Sequence, residues 1–311
     1  MTATAKELRP FLNSADALSQ PEEMRRRMRR DGYLFIRGLL PKDKVLGLRR
    51  RMLEICQRHG WLIPGVDLME GRTNHPPTME GKEDYMPVYT EVQLMEDFHL
   101  LAHHPALLGA LEKLFEEQVL VHPMKIGRIS FPKNVQNTTA AHQDYVHIQG
   151  SFETYTSWIP IGDVPRDLGG LAVLAGSHKL GVLQPKQAYG AGGLGLDTDQ
   201  YNLPWHGGDF QAGDVLLFLA NTVHKALPNL TEDKLRLSTD YRFTGISHAI
   251  AETNLRLHFS WQVKELTFEN LYKNWKTESL KYYWKKQPIH VVPLTEAWYH
   301  TAKKDDKPGA K

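Results

Sequence analysis

The chain has 311 residues, 41% of them hydrophobic, and a formal net charge of +2. That size and apolar content fit one large β-rich domain with helical additions, or two domains, and the near-balance of charge argues against a dedicated nucleic-acid binder, which carries a basic face. A single cysteine, Cys56, rules out an internal disulfide and a cysteine-built zinc cluster and fits a reducing, cytoplasmic setting. Residues 1–30 hold no apolar signal segment, and no run approaches the roughly eighteen apolar residues of a spanning helix, so no membrane partner is expected.

Residues 1–20 read as a loose lead-in. Pro21 to Arg30 has the acidic start and basic end that suit a helix dipole, and Asp31-Gly32 stops it. Tyr33 to Ile36 is a short strand. Lys42 to Gly60 returns to helical spacing, residues 62–90 read as loop, and Phe98 to Glu117 as a second amphipathic helix. Beyond this point short apolar runs alternate with Gly, Pro, Asn and Asp. Strands are expected near 119–131, 153–161, 170–174, 214–219, 222–227 and 235–243, a spacing typical of a sandwich or jelly roll. A Gly-rich insertion, 184–211, carries Tyr189, Tyr201 and Trp205 and reads as a flexible lid over a ring-bearing or moderately apolar substrate. Residues 261–300 return to an aromatic-rich helical pattern. The whole, 1–311, reads as one domain: a lead-in over 1–118, a jelly-roll core over 119–245 and a helical extension over 246–311.

The chemistry-bearing residues lie in the β-rich part. In extended chain, residues two apart share a face, so His142 and Asp144 can grip one ion while Gln143 points away. His224 follows the apolar run ending at Phe218, and a jelly roll can bring it alongside. Two imidazoles and a carboxylate on one face of an ion leave the opposite positions open, the arrangement of non-haem iron(II) oxygenases. Arg236 lies twelve residues beyond His224 and shares a strand face with Ser238, Asp240 and Arg242. A buried guanidinium there would clamp a carboxylate with parallel hydrogen bonds. His147, beside the metal motif, and Trp205 and His206, in the insertion, are candidate substrate contacts, although each also reads as scaffold or surface. Without turnover, the same pattern would serve a jelly-roll ligand-binding module; with another ion, a cupin-like hydrolase or isomerase.

Four separated blocks in order resemble the phytanoyl-CoA dioxygenase family. DGYLFIRGLLPKDKVLGLRR is similar to its opening strand and helix, and AHQDYVHI to its first metal motif. SWIPIGDVPRDLGGLAVLAGSHKLG resembles its middle block, and GDVLLFLANTVHKALPNLTEDKLRLSTDYRF its distal-histidine and arginine block. The resemblance covers roughly Asp31 to Arg242. It implies a double-stranded β-helix (jelly roll), iron(II) at His142, Asp144 and His224, and dioxygen and 2-oxoglutarate as co-substrates. It places 2-oxoglutarate on Arg236 and extends that role to Gln143, Trp158 and Met124. Where the family often has a serine, two residues past the distal histidine, this chain has Ala226, so another donor, with Ser238 the candidate, is expected to substitute or 2-oxoglutarate affinity to drop. Halogenases of the family lack the carboxylate; with Asp144 present, hydroxylation or a related oxidation of a small organic molecule is expected, with 2-oxoglutarate converted to succinate.

Overall fold

The structure, a computed structural model, describes residues 8–295. The first part of the lead-in, 1–7, and the end of the extension, 296–311, lie outside the described residues. Helix α1 (Pro21–Asp31) opens with proline and two glutamates and ends on Gly32, whose φ of +77° only glycine takes without strain. Strand β1 (Tyr33–Ile36) follows, then α2 (Lys42–Arg58).

The segment read as loop over 62–90 runs into a helix, α3 (Met86–Gln93), whose Val88, Tyr89 and Val92 are buried. The helix expected over 98–117 is broken. A short turn, Glu96–Leu100, passes through a 3-10 turn, and α4 begins at Pro105 and runs to Phe115. Proline cannot donate into the preceding turn but suits a first helical position, so Pro105 starts a new helix.

The β elements are β2 (Val119–Ser130), β3 (Tyr155–Pro160), β4 (Leu171–Leu174), β5 (Trp205–Gly207), β6 (Val215–Leu219), β7 (His224–Ala226) and β8 (Arg236–Gly245). They form two facing sheets. The larger has the order β1-β6-β3-β8-β2; the smaller joins Arg9–Pro10, β5, β4 and β7. Pairing is antiparallel except between Arg9–Pro10 and β5. Pro123 sits on the outermost strand, β2, where the register with β8 shifts between Tyr241 and Phe243. An edge tolerates the missing N–H there.

The larger sheet is buried on both faces. Leu34, Ile36, Val215, Leu217, Leu237, Tyr241 and Phe243 pack with the helices, while Tyr33, Phe35, Trp158, Leu216 and Phe218 face the smaller sheet. Double burial explains why β6 reads as an unbroken apolar run. A third cluster holds the C-terminal segment on the barrel through Leu257, Leu271, Trp275 and Trp284. That segment is not the long helix the pattern expects. Among the described residues it has one five-residue helix, Phe268–Tyr272, 3-10 turns and a short strand, His290–Val292, and its aromatic side chains pack individually into the barrel wall.

Candidate metal centre and its two cavities

β7 carries His224, and an isolated antiparallel bridge pairs His224 with His142 through backbone hydrogen bonds of 2.9 and 3.0 Å. This bridge, not a long strand, positions the first motif. Asp144 has already turned to helical φ/ψ and precedes a four-residue helix, Tyr145–Ile148. The extended-chain expectation therefore holds at His142 and fails at Asp144, yet the three side chains still converge. One ligand atom from each lies within 4.8 Å of the others.

Second contacts fix their orientation. Nδ1 of His142 lies 2.8 Å from the Ala140 carbonyl and Nδ1 of His224 lies 3.0 Å from the Thr222 carbonyl. A carbonyl only accepts, so each Nδ1 carries the proton and each Nε2 offers a lone pair. Those lone pairs face Oδ1 of Asp144 at 3.7 and 3.8 Å. Three acceptors converge, and the two Nε2 lone pairs face Oδ1 with no donor from either ring, which is unfavourable unless a further cation sits between them. Burial pushes His224 down to about 3, keeping it neutral. Burial alone would raise the Asp144 carboxyl, but the Arg242 guanidinium holds it well below the usual carboxylate range. Thr156 Oγ1 donates to Oδ2 of Asp144 at 2.7 Å, and Arg242 Nη2 donates to Oδ1 at 3.1 Å. The donor set of two neutral imidazoles and one anion fits iron(II).

Two cavities meet at this centre, and His142 and Asp144 line both. The smaller, about 20 Å³, runs to Arg236 between Trp158, Leu171 and Phe218. Arg236 is buried; Nη1 donates to Ser238 Oγ at 2.6 Å and Nε has no partner among the described residues. Its guanidinium lies 5.8 Å from the Trp158 ring centre. Burial, then the neighbouring Arg128, pushes Arg236 down to about 10, so it stays cationic at neutral pH. Ala226 lines the same cavity, and Ser238 supplies the hydroxyl beside Arg236.

The larger cavity, about 430 Å³, is lined by Met124, Ile126, Ile148, His147 and the segment around Thr253–Trp261. Arg128 borders both spaces, held by Asp240 at 2.6 Å and Glu80 at 2.8 Å. Ala191 and Gly192, at the turn of a small hairpin formed by Lys186–Gln187 and Leu194–Gly195, line it as well.

Several expected residues lie elsewhere. Gln143 is buried away from both cavities. It donates to the carbonyls of Gly181 and Asn221 at 2.8 and 2.7 Å and accepts from Leu183 N at 2.8 Å, which uses its amide on backbone. Met124 lines the larger cavity and not the one at Arg236. Trp205 pairs in β5 and packs under Lys225, whose ammonium is 4.1 Å from its ring. His206 faces the intersheet core, with Nδ1 2.6 Å from the Tyr33 hydroxyl. Tyr189 is 91% exposed, so the aromatic wall of the cavity does not come from the insertion. It comes from His258, Phe259 and Trp261. Sequence reasoning assigned nothing to these three, nor to Arg242 and Thr156. For Arg242 the signal was present in its shared strand face with Arg236; for the others no local pattern marks them.

The family model described as Phytanoyl-CoA dioxygenase (PhyH) matches residues 28–237. A 1-deoxypentalenic acid 11-beta-hydroxylase of Streptomyces arenae is 30% identical over 236 residues, covering 70% of this chain and 78% of that protein. The enzyme of the same description from Streptomyces exfoliatus is 26% identical over 256 residues, covering 77% and 87%. Among solved structures, the epimerase SnoN of nogalamycin biosynthesis, in complex with Fe3+, alpha ketoglutarate and nogalamycin RO, aligns with a TM-score of 0.53 at 19% identity, over 89% of this chain and 96% of that one. The carbocyclase SnoK of the same biosynthesis aligns at 0.52 and 22% identity, over 74% and 85%. At such identities the structural likeness speaks to the shared jelly-roll fold.

Proposed function

The chain belongs to the phytanoyl-CoA dioxygenase family of iron(II)/2-oxoglutarate oxygenases, and from that premise we propose that it hydroxylates a C–H bond of a small, largely apolar molecule held in the larger cavity. The observation that carries this reading is the convergence of three acceptors, His142, Asp144 and His224, between two separate cavities.

In this reading His142 and His224 give neutral lone pairs to iron, and Asp144 gives one negative charge. Thr156 and Arg242 hold the Asp144 carboxylate ionised and oriented. Arg236, steadied by Ser238, takes the far carboxylate of 2-oxoglutarate, and Trp158, Leu171 and Phe218 exclude water around it. The bound metal and co-substrates supply a two-electron oxidation of the substrate C–H, with succinate and carbon dioxide released. Met124, Ile126 and Ile148 give the substrate an apolar bed, and the hairpin bearing Ala191 and Gly192 serves as the lid. The buried, unpaired thiol of Cys56, pushed up to about 12 by burial, supports a cytoplasmic setting.

Two 1-deoxypentalenic acid hydroxylases among the relatives support hydroxylation over a non-oxidative use of the same barrel. The test is anaerobic addition of iron(II), then 2-oxoglutarate. A visible charge-transfer band is expected in the native protein and absent in Asp144→Ala. A folded native protein that binds iron(II) yet shows no band would sink the reading.

A further inference from the structure

One histidine in the wall of the larger cavity, His258, is oriented by a chain of hydrogen bonds that starts on another element. Tyr89 and Gln93 lie four residues apart on α3, so their side chains share a face, and both are buried. Gln93 Nε2 lies 3.1 Å from the Lys125 carbonyl on β2 and 3.0 Å from the Tyr89 hydroxyl. The carbonyl only accepts, so the NH2 side of the amide must face it, and the second N–H of that group goes to Tyr89. With its oxygen accepting from Gln93, Tyr89 gives its own proton to Nδ1 of His258, 2.5 Å away. Burial, then the cations Arg128 and Arg242, hold His258 well below its ordinary range, so the ring is neutral. A neutral ring that accepts at Nδ1 carries its proton at Nε2.

That second nitrogen is left for a ligand. Nε2 has no hydrogen-bond partner among the described residues, and it is not sealed off, because the ring lines the cavity. The ring is also held in place. Phe259 packs on it edge-on at 4.5 Å and Trp261 edge-on at 5.5 Å. Phe259 itself sits at φ +65°, a conformation that a bulky residue keeps only where its surroundings enforce it. Tyr89 meets Phe259 edge-on at 5.5 Å, so the residue that sets the proton on His258 also braces the turn that carries it. Other donors of the same wall are spent within the protein. Asn254 Nδ2 donates to the Ile148 carbonyl at 2.7 Å, and Arg128 is engaged by Glu80 and Asp240.

We propose that His258 is a substrate-recognition residue: its Nε2–H donates to an uncharged oxygen of the substrate, a carbonyl, ether or hydroxyl, and so fixes which C–H faces the candidate metal centre. Tyr89 and Gln93 act through it, as positioning residues that set where its proton lies. A neutral N–H matches an uncharged acceptor without stranding a charge in the cavity wall. The assignment rests on the oxygenase reading of this cavity and adds a recognition group to it. His258 lies past the last family-matched residue, at 237, so the contact belongs to the substrate side of the molecule and not to the chemistry the family shares.

The experiment has two arms on the full chain. In protein loaded with zinc(II), which keeps the spectrum sharp, and 2-oxoglutarate, proton–nitrogen correlation of the histidine rings should show His258 protonated at Nε2. Tyr89→Phe should mix the two tautomers. In protein loaded anaerobically with iron(II) and 2-oxoglutarate, calorimetric titration compares camphor and 2-adamantanone with their exocyclic-methylene analogues, in which CH2 replaces the oxygen. At least one ketone is expected to bind about three- to tenfold more tightly than its analogue. His258→Phe should remove that preference, His258→Gln, which keeps a donor near Nε2, should restore part of it, and Tyr89→Phe should reduce it. A native ring protonated at Nδ1, ketones that bind no tighter than their analogues, or a preference that survives in His258→Phe overturns the proposal. A preference untouched by Tyr89→Phe overturns the role of the relay. The visible band of the iron-loaded native protein separates the two failures. Its absence removes the oxygenase reading itself; its presence without a ketone preference removes only the role of His258.

Discussion

The two cavities at the candidate metal centre are built by different means. The smaller one is enclosed by the sheets: Arg236 and Ser238 on β8, Trp158 and Thr156 on β3, Leu171 on β4 and Phe218 on β6. Arg236 is fixed by Ser238 on its own strand, and Arg128 on β2 by Asp240 on the neighbouring β8. The larger one is bounded by the hairpin at Ala191–Gly192 and by the segment Thr253–Trp261, which lies after the last family-matched residue. Chemistry common to a family needs rigid placement, which paired strands give; recognition of a particular substrate needs variation, which connecting segments tolerate.

The sharpest way to break this contrast is at the centre both cavities share. Asp144→Ala removes the anion facing both histidines and strands the buried Arg242. Loss of the iron-dependent band and of substrate oxidation is expected, with the metal-free protein destabilised by about 3–5 kcal/mol in denaturant titration. Next comes the strand-built side. Arg236→Leu should cost about 2–5 kcal/mol of 2-oxoglutarate binding, read as a steep rise in the concentration that saturates the visible band. An unchanged requirement would move the co-substrate out of the smaller cavity. Thr156→Val, which removes the 2.7 Å hydrogen bond to Asp144, should lower iron(II) affinity by about 10–100-fold with the fold intact.

The smallest effect lies outside both cavities. Burial lowers His99 and His122 to about 3, from an ordinary 6.5. Below pH 6.5 the unfolded chain takes up protons that these residues refuse in the fold. Stability is therefore fully present above that pH and declines as pH falls toward 3. Metal-free protein should melt at a lower temperature at pH 5 than at pH 7, and His99→Gln should reduce that drop. A melting temperature independent of pH in this range would show that both histidines are protonated in the fold.

The sequence alone located six of the strands over 119–245, because turn residues and apolar runs are local signals, and each matches an observed element; it missed β5, which lies in the insertion read as a lid. It placed Arg236, Ser238 and Arg242 on one face of β8, because side-chain alternation is a property of the strand itself. It singled out His142, Asp144 and His224, although the reason given for the first pair was only half right, since Asp144 has left the extended chain. Tertiary structure decided the rest. Gln143, Trp205 and His206 sit near the right motifs in sequence, but backbone carbonyls, Lys225 and Tyr33 claim them. Phe259 and Trp261 carry no periodic mark; contacts with Tyr89, remote in sequence, and with His258 make them a wall. A local pattern can fix which way a side chain leaves its own strand. Which cavity it meets depends on chain segments more than a hundred residues away, and that is settled only when the sheets close.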